Sequence, residues 1–148
     1  MWKKSKEDAI LDTKSIAFRV LLSDLGNKTS DDNTRKIAQI FCNIGLDVIF
    51  TDECYNPTEI ALAAVQEDVN ALGINLQTIA NMESISKIHK MLREFGAQNI
   101  QIFAYNVKND NVVENLRNWG LTDILVKDTP YDEFVSRIQN IVSRHRGK

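Results

Sequence analysis

Five short apolar runs punctuate the chain, each followed by a polar loop and then by a stretch with helical periodicity. The runs are Val20–Leu22, Val48–Phe50, Ala71–Leu76, Ile100–Ala104 and Ile124–Val126. Runs this short and this apolar, set between helical segments, predict strands buried on both faces of a parallel sheet. The first helical segment follows a long polar loop, Asp24 to Asn33, and carries Ile37, Ala38, Ile40, Phe41 and Ile44 on its apolar side. The second opens Asn56-Pro57 with Glu59 two residues on, a capping-box-like start with proline at the first helical position. Its apolar face is Ile60, Ala61, Ala64 and Val65. The third runs from about Ser84 to Phe95 with Ile85, Ile88, Met91 and Leu92 inward, and Gly96 stops it. The fourth carries Val112, Val113, Leu116 and Trp119 and ends at Gly120. The fifth opens Thr129-Pro130, read as a cap followed by proline, and buries Phe134, Ile138, Ile141 and Val142.

Five strand–helix units with short connections imply right-handed crossovers and a doubly wound α/β sheet with helices on both faces. Strand order 2-1-3-4-5, the flavodoxin-like arrangement, is the expectation for a domain of this size. Residues 1–18 read as a lead-in or linker and 19–148 as the domain. At 148 residues the chain makes one domain and buries roughly two-thirds of its unfolded surface. There is no internal repeat and no low-complexity tract.

Charge and cysteine content narrow the function classes. A formal net charge of −2 gives no general attraction to nucleic acid or to an anionic membrane. The basic residues near the ends (Lys3, Lys4, Lys6; Arg144, His145, Arg146, Lys148) read as solvated termini. Cys42 and Cys54 make neither a disulfide framework nor a metal cluster, and free thiols are the preferred reading. With no signal peptide and no apolar run of transmembrane length, the expected setting is the cytoplasm.

In an open α/β sheet, ligands bind at the carboxyl ends of the strands. Those ends read Asp24 to Asn33, then Asn75-Leu76-Gln77-Thr78, then Tyr105-Asn106, then Lys127-Asp128-Thr129. The ring is polar, with amides, hydroxyls and one lysine, but it holds no histidine and no cysteine. His89 falls in the third helix and His145 in the tail, and both read as surface residues. A nucleophilic triad lacks its base, so no catalytic residue and no metal site are assigned. Gly26 stands alone, without the glycine spacing of a phosphate-binding loop. Thr29, Ser30 and the helix start could hold an anion, but Asp31 and Asp32 already complement the dipole there and favour capping.

The run Arg19–Leu22, then Arg35-Lys36-Ile37-Ala38, Gly45-Leu46-Asp47-Val48 and Asn56-Pro57-Thr58-Glu59-Ile60 through Gln66-Glu67-Asp68-Val69 resembles a known family. It is similar to the cobalamin (B12)-binding domain of methylmalonyl-CoA mutase and related acyl-CoA mutases. The similarity continues through Gly73-Ile74-Asn75, Leu92 to Gly96 and Trp119-Gly120-Leu121, covering roughly 19–142 without gaps. Within that register the family's ligand motifs are changed. Its Asp-x-His-x-x-Gly motif, whose histidine replaces the cofactor's own base on cobalt, falls on Lys28, Ser30 and Asn33. Its strand-three serine falls on Asn75. The Gly-Gly after strand four becomes Tyr105-Asn106, and the Gly-Pro-Gly-Thr after strand five becomes Val126-Lys127-Asp128-Thr129.

The resemblance therefore implies a cofactor site, vestigial or turned to a replacement ligand, made of Gly26, Lys28, Ser30, Asn33, Asn75, Gln77, Tyr105, Asn106, Lys127 and Thr129. Glycines in such loops let backbone approach a flat ligand, and side chains there fill the space. Tyr105 and Lys127 would project where the nucleotide tail lies, and a seryl hydroxyl is a poor cobalt ligand beside imidazole. The expectation is a non-catalytic domain with no cofactor, acting as an accessory subunit or interaction module through a protein partner or self-association. Two alternatives stay open. One is a cobalamin-binding subunit holding the cofactor base-on. The other is a pseudo-receiver signalling module, because Asp-Ile-Leu-Val-Lys-Asp with Lys127 resembles response-regulator receivers. A phosphorylated receiver needs an aspartate after strand three, where Asn75 stands.

Overall fold

A computed structural model of the chain describes residues 18–23, 32–51, 56–75, 82–107 and 120–146. The described elements are β1 (Arg19–Ser23), α1 (Asp32–Asn43), β2 (Asp47–Thr51), α2 (Pro57–Gln66), β3 (Ala71–Asn75), α3 (Met82–Glu94), β4 (Gln101–Val107), β5 (Asp123–Val126) and α4 (Tyr131–Arg146). The helical segment read around Val112 to Trp119 lies outside the described residues, as do residues 1–17 of the lead-in and the loop at 24–31. All strand pairs are parallel and the sheet order is β2-β1-β3-β4-β5, as the pattern predicts. The strands begin and end within a few residues of the apolar runs, and β4 extends to Val107 rather than Ala104. No helix among the described residues is long and apolar enough to cross a membrane.

Strand alternation sends side chains to two separate cores. Leu21, Leu72, Ile74, Ile102, Ala104 and Ile124 meet Ile60, Ala61 and Ala64 of α2 and Ile85, Ile88 and Leu92 of α3. On the other face Val20, Leu22, Ala71, Phe103 and Leu125 meet Phe41 of α1 and Phe134, Ile138 and Ile141 of α4. The central strand β3 is buried at every position.

Helix ends follow local chemistry. Asn56 caps α2 by accepting the Thr58 N–H at 2.8 Å. Helices α1 and α3 close through the same reverse turn: Leu46 N–H reaches Phe41 O at 2.9 Å, and Ala97 N–H reaches Leu92 O at 2.8 Å. In each, a glycine occupies the left-handed region that the turn requires, Gly45 at φ +92° and Gly96 at φ +75°. The end of α2 makes the turn with Asp68 at φ +54° instead, Val69 N–H bonding Ala64 O. The start of α4 differs from expectation. Pro130 O accepts the first helical N–H, from Phe134 at 2.9 Å, so the helix begins at Tyr131. Thr129 does not cap it; the Thr129 hydroxyl donates to Val126 O.

Polar clasps fix the elements at the amino edge of the sheet. Arg19 pairs with Asp47 at 2.9 Å and donates to Glu67 O at 2.8 Å, and Arg137 bonds Asp123 at 3.1 Å and Ile124 O at 2.9 Å. These groups are part-exposed and contribute little each.

One close approach sets the middle of the sheet. A Cβ built on Gly73 would stand 2.6 Å from Phe103 Cζ and 2.8 Å from Leu22 Cδ2. Phe103 is the β4 partner of Gly73 in the ladder, and its ring lies across the missing side chain. Gly73→Ala should cost about 1–3 kcal/mol through overpacking and lower the melting temperature by roughly 5–10 °C. Thermal unfolding followed by circular dichroism checks this, and Phe103→Leu in the Gly73→Ala background should recover part of the loss.

Candidate functional site

At the carboxyl ends of β1, β3 and β4 the sheet buries polar residues. Among the described residues the buried polar side chains are Ser23 at 1%, Asn75 at 0% and Asn106 at 6% exposure, and all three stand at this edge. Buried polar groups need hydrogen-bond partners. Asn106 Nδ2 donates to Asn75 Oδ1 at 3.1 Å, joining the ends of adjacent strands through their side chains.

The amide pair depends on an irregularity in β4. From Ala104 to Val107 the strand advances three residues, while its β5 partners advance from Ile124 to Val126. One extra residue is thus inserted, a bulge, and Asn106 within it takes φ +61°. Asparagine tolerates this left-handed conformation better than most residues with a side chain. Beyond the bulge, Val107 O accepts the Lys127 N–H at 2.6 Å, which ties the β5 loop to the end of β4.

Tyr105, immediately before the bulge, is wholly buried on the face shared by α1 and α4. Its ring centroid lies 6.4 Å from that of Phe103, and Phe103 in turn lies 6.1 Å from Phe41. Phe41 stands 5.9 Å from Phe134, so four rings run in sequence from α4 through α1 to the end of β4. Tyr105 is therefore core at this edge, and its ladder partner is Asn75.

Of the ten residues assigned from sequence, the structure brings Asn75, Tyr105 and Asn106 together, with Lys127 and Thr129 at the neighbouring end of β5. Lys127 is exposed in the turn after β5, and Asp128 beside it takes φ +67°. Gly26, Lys28, Ser30 and Gln77 lie outside the described residues. Asn33 falls in α1, and its side chain is not among those described. Ser23 is the edge residue that sequence reading passed over, because the first apolar run was ended at Leu22. A polar residue closing an apolar run was the available signal.

Among the described residues the edge offers hydrogen-bonding amides and a hydroxyl, with cationic charge at Lys127. Among the described residues, no three histidine, cysteine or acidic side chains gather as a metal site. Cys42 sits half-buried on α1 as a free thiol; burial pushes its pKa up, and the Asp47 carboxylate raises it further. A thiol so shifted is a weak nucleophile at neutral pH.

The amide pair makes a graded prediction. Asn106→Gly keeps the left-handed backbone and loses only the bond, costing about 1–2 kcal/mol, whereas Asn106→Ala adds about 1 kcal/mol of backbone strain. Urea midpoints should fall in the order wild type, Asn106→Gly, Asn106→Ala.

No protein-family model matches the chain. It is 31% identical over 126 residues to the 2-hydroxyisobutanoyl-CoA mutase small subunit of Aquincola tertiaricarbonis, covering 85% of this chain and 93% of that subunit. Against methylmalonyl-CoA mutase of Escherichia coli K12 the identity is 26% over 127 residues, 86% of this chain and 18% of that enzyme. The chain thus spans nearly the whole of the small subunit and under a fifth of the longer mutase. Among solved structures, a cobalamin-binding protein from Desulfitobacterium hafniense DCB-2 superposes with TM-score 0.67 at 14% identity, over 84% of this chain and 58% of that one. The chemotaxis protein CheY4 of Vibrio cholerae superposes with TM-score 0.63 at 12% identity, over 85% and 99%. At these identities the structural likenesses show the fold alone.

Proposed function

The chain belongs to the family of the cobalamin-binding domain of methylmalonyl-CoA mutase and related acyl-CoA mutases, and on that premise we propose that it is a member whose cofactor site is vestigial. It serves, on this reading, as a non-catalytic accessory subunit or interaction module in the cytoplasm, working through a protein partner such as a mutase chain. The observation that carries the reading is the end of β4. Where the resemblance places two glycines, Tyr105 is wholly buried among aromatic rings and Asn106 is hydrogen-bonded to Asn75.

Supporting it is the chemistry of the donor set. The residues at this edge do not fit a cobalamin held with its own base displaced and its nucleotide tail buried beside the sheet. Tyr105 fills volume on the α1 and α4 face that such a tail would need, and the position of the cobalt-binding histidine carries Ser30. A hydroxyl is a weak ligand for cobalt compared with imidazole. Ser30, Lys28 and Asn33 enter through the register of the resemblance.

A second reading is favoured by the likeness to a mutase small subunit along 93% of that subunit's length. In it, cobalamin binds base-on over the carboxyl edge with no protein ligand, and Lys127 and Thr129, the accessible residues after β5, contact its periphery. The receiver-like structures support no signalling role, since their likeness is one of fold.

Titration with hydroxocobalamin and adenosylcobalamin, followed by absorbance and equilibrium dialysis, separates the readings. A vestigial site gives no stoichiometric complex. A red complex of micromolar or tighter affinity would overturn the first reading, and a base-on spectrum in that complex would establish the second.

A further inference from the structure

We propose that the cleft at the amino edge of the sheet, between the ends of α3 and α4, binds an organic phosphate of nucleotide size. The cleft has a volume of about 790 Å³, within the range of roughly 300–1,000 Å³ typical of small-molecule sites. Its described lining includes Arg93, Arg144, His89, Gln98, Asn99 and Gln101, and among the described residues no carboxylate faces it. In a chain of net charge −2, two arginines lining one concavity, with no carboxylate among its described lining, make a local cationic site.

The guanidinium groups are available for a ligand. Arg144 Nη1 donates to Thr122 O at 3.2 Å, which places the side chain at the cleft and uses one of its five N–H donors. Among the described residues neither Arg93 nor Arg144 is ion-paired, whereas Arg19 and Arg137 are. Arginines in the last turn of a helix also complement its negative end, and this role accounts for their sign. It does not account for a hollow between two such helices floored by the start of β4. Gln101 anchors that floor through its Nε2 bond to Ile141 O at 2.9 Å.

Planar guanidinium forks match phosphate oxygens in pairs. The amides of Gln98 and Asn99 supply both donors and acceptors, which suits the sugar or base of a nucleoside. His89 closes one wall against the Gly120 backbone; a Cβ on Gly120 would lie 3.2 Å from its Nε2. This site lies at the opposite edge of the sheet from the cofactor edge, so it stands or falls independently of the reading above.

The test uses the full chain with ADP as the probe and inorganic phosphate as the comparison, by isothermal titration calorimetry in low-salt buffer without divalent metal. ADP should bind saturably at millimolar concentration or below, and more tightly than inorganic phosphate. Arg93→Ala and Arg144→Ala should each weaken it by about tenfold. Arg93→Lys, which keeps the charge and loses the fork, should fall between Arg93→Ala and wild type. Lys90→Ala, on the exposed side of α3, should leave binding unchanged. Thermal melts of the free variants verify that each is folded. Absence of saturable ADP binding overturns the proposal. So does equal affinity for inorganic phosphate, or a loss in Lys90→Ala matching that in Arg93→Ala.

Discussion

The contact between Phe103 and the bare backbone of Gly73 governs how this sheet is packed. Because β3 is central and buried on both faces, whatever its residues fail to fill must be filled by a neighbour. Gly73 leaves a gap on the α1 and α4 side, and the Phe103 ring lies across it from the adjacent strand. That ring then receives Phe41 from α1 and, through it, Phe134 from α4. Tyr105 extends the row to the carboxyl edge. The filling of that edge is thus continuous with the core, and a side chain there cannot move aside without disturbing the aromatic row.

The two edges of the sheet differ in character. At the carboxyl edge the buried polar side chains among the described residues are neutral, and Asn106 engages Asn75 across adjacent strands. At the amino edge arginines lie near the strand starts, and among the described residues Arg19 and Arg137 are matched with carboxylates while Arg93 and Arg144 are not. Helix direction alone does not dictate this division. It follows from which sequence positions carry charge at the turn between each helix and the next strand.

Much of the architecture was legible because each level of the sequence agreed with the next. The apolar runs located all five strands, and the order followed from short connections with one handedness. Asn56-Pro57 marked a helix start and Gly96 a helix stop, since both act through local backbone chemistry. The failures were also local. Thr129-Pro130 looked like a cap and a first helical residue, but the threonine hydroxyl turns back to Val126 and the helix starts one residue later. Ser23 was missed because polarity was taken to end the strand. The Asn106 bulge left no mark in the apolar pattern, and its pairing with Asn75 requires knowing that β3 and β4 are neighbours. Tyr105 follows from the sequence only as a bulky residue at the carboxyl edge, and the rings it joins in the core could not be read from spacing.

The bulge in β4 bears on how such an edge can change over generations. Ala104 and Val107 face the same core, although two residues stand between them in the chain, where plain alternation would place one. Remove Asn106 and Val107 would follow Tyr105 directly, restoring plain alternation with Val107 still facing that core. The extra residue is therefore neutral with respect to the facing of everything after it. A single-codon insertion or deletion at this point alters what the strand end presents to the outside while leaving the register of the interior unedited.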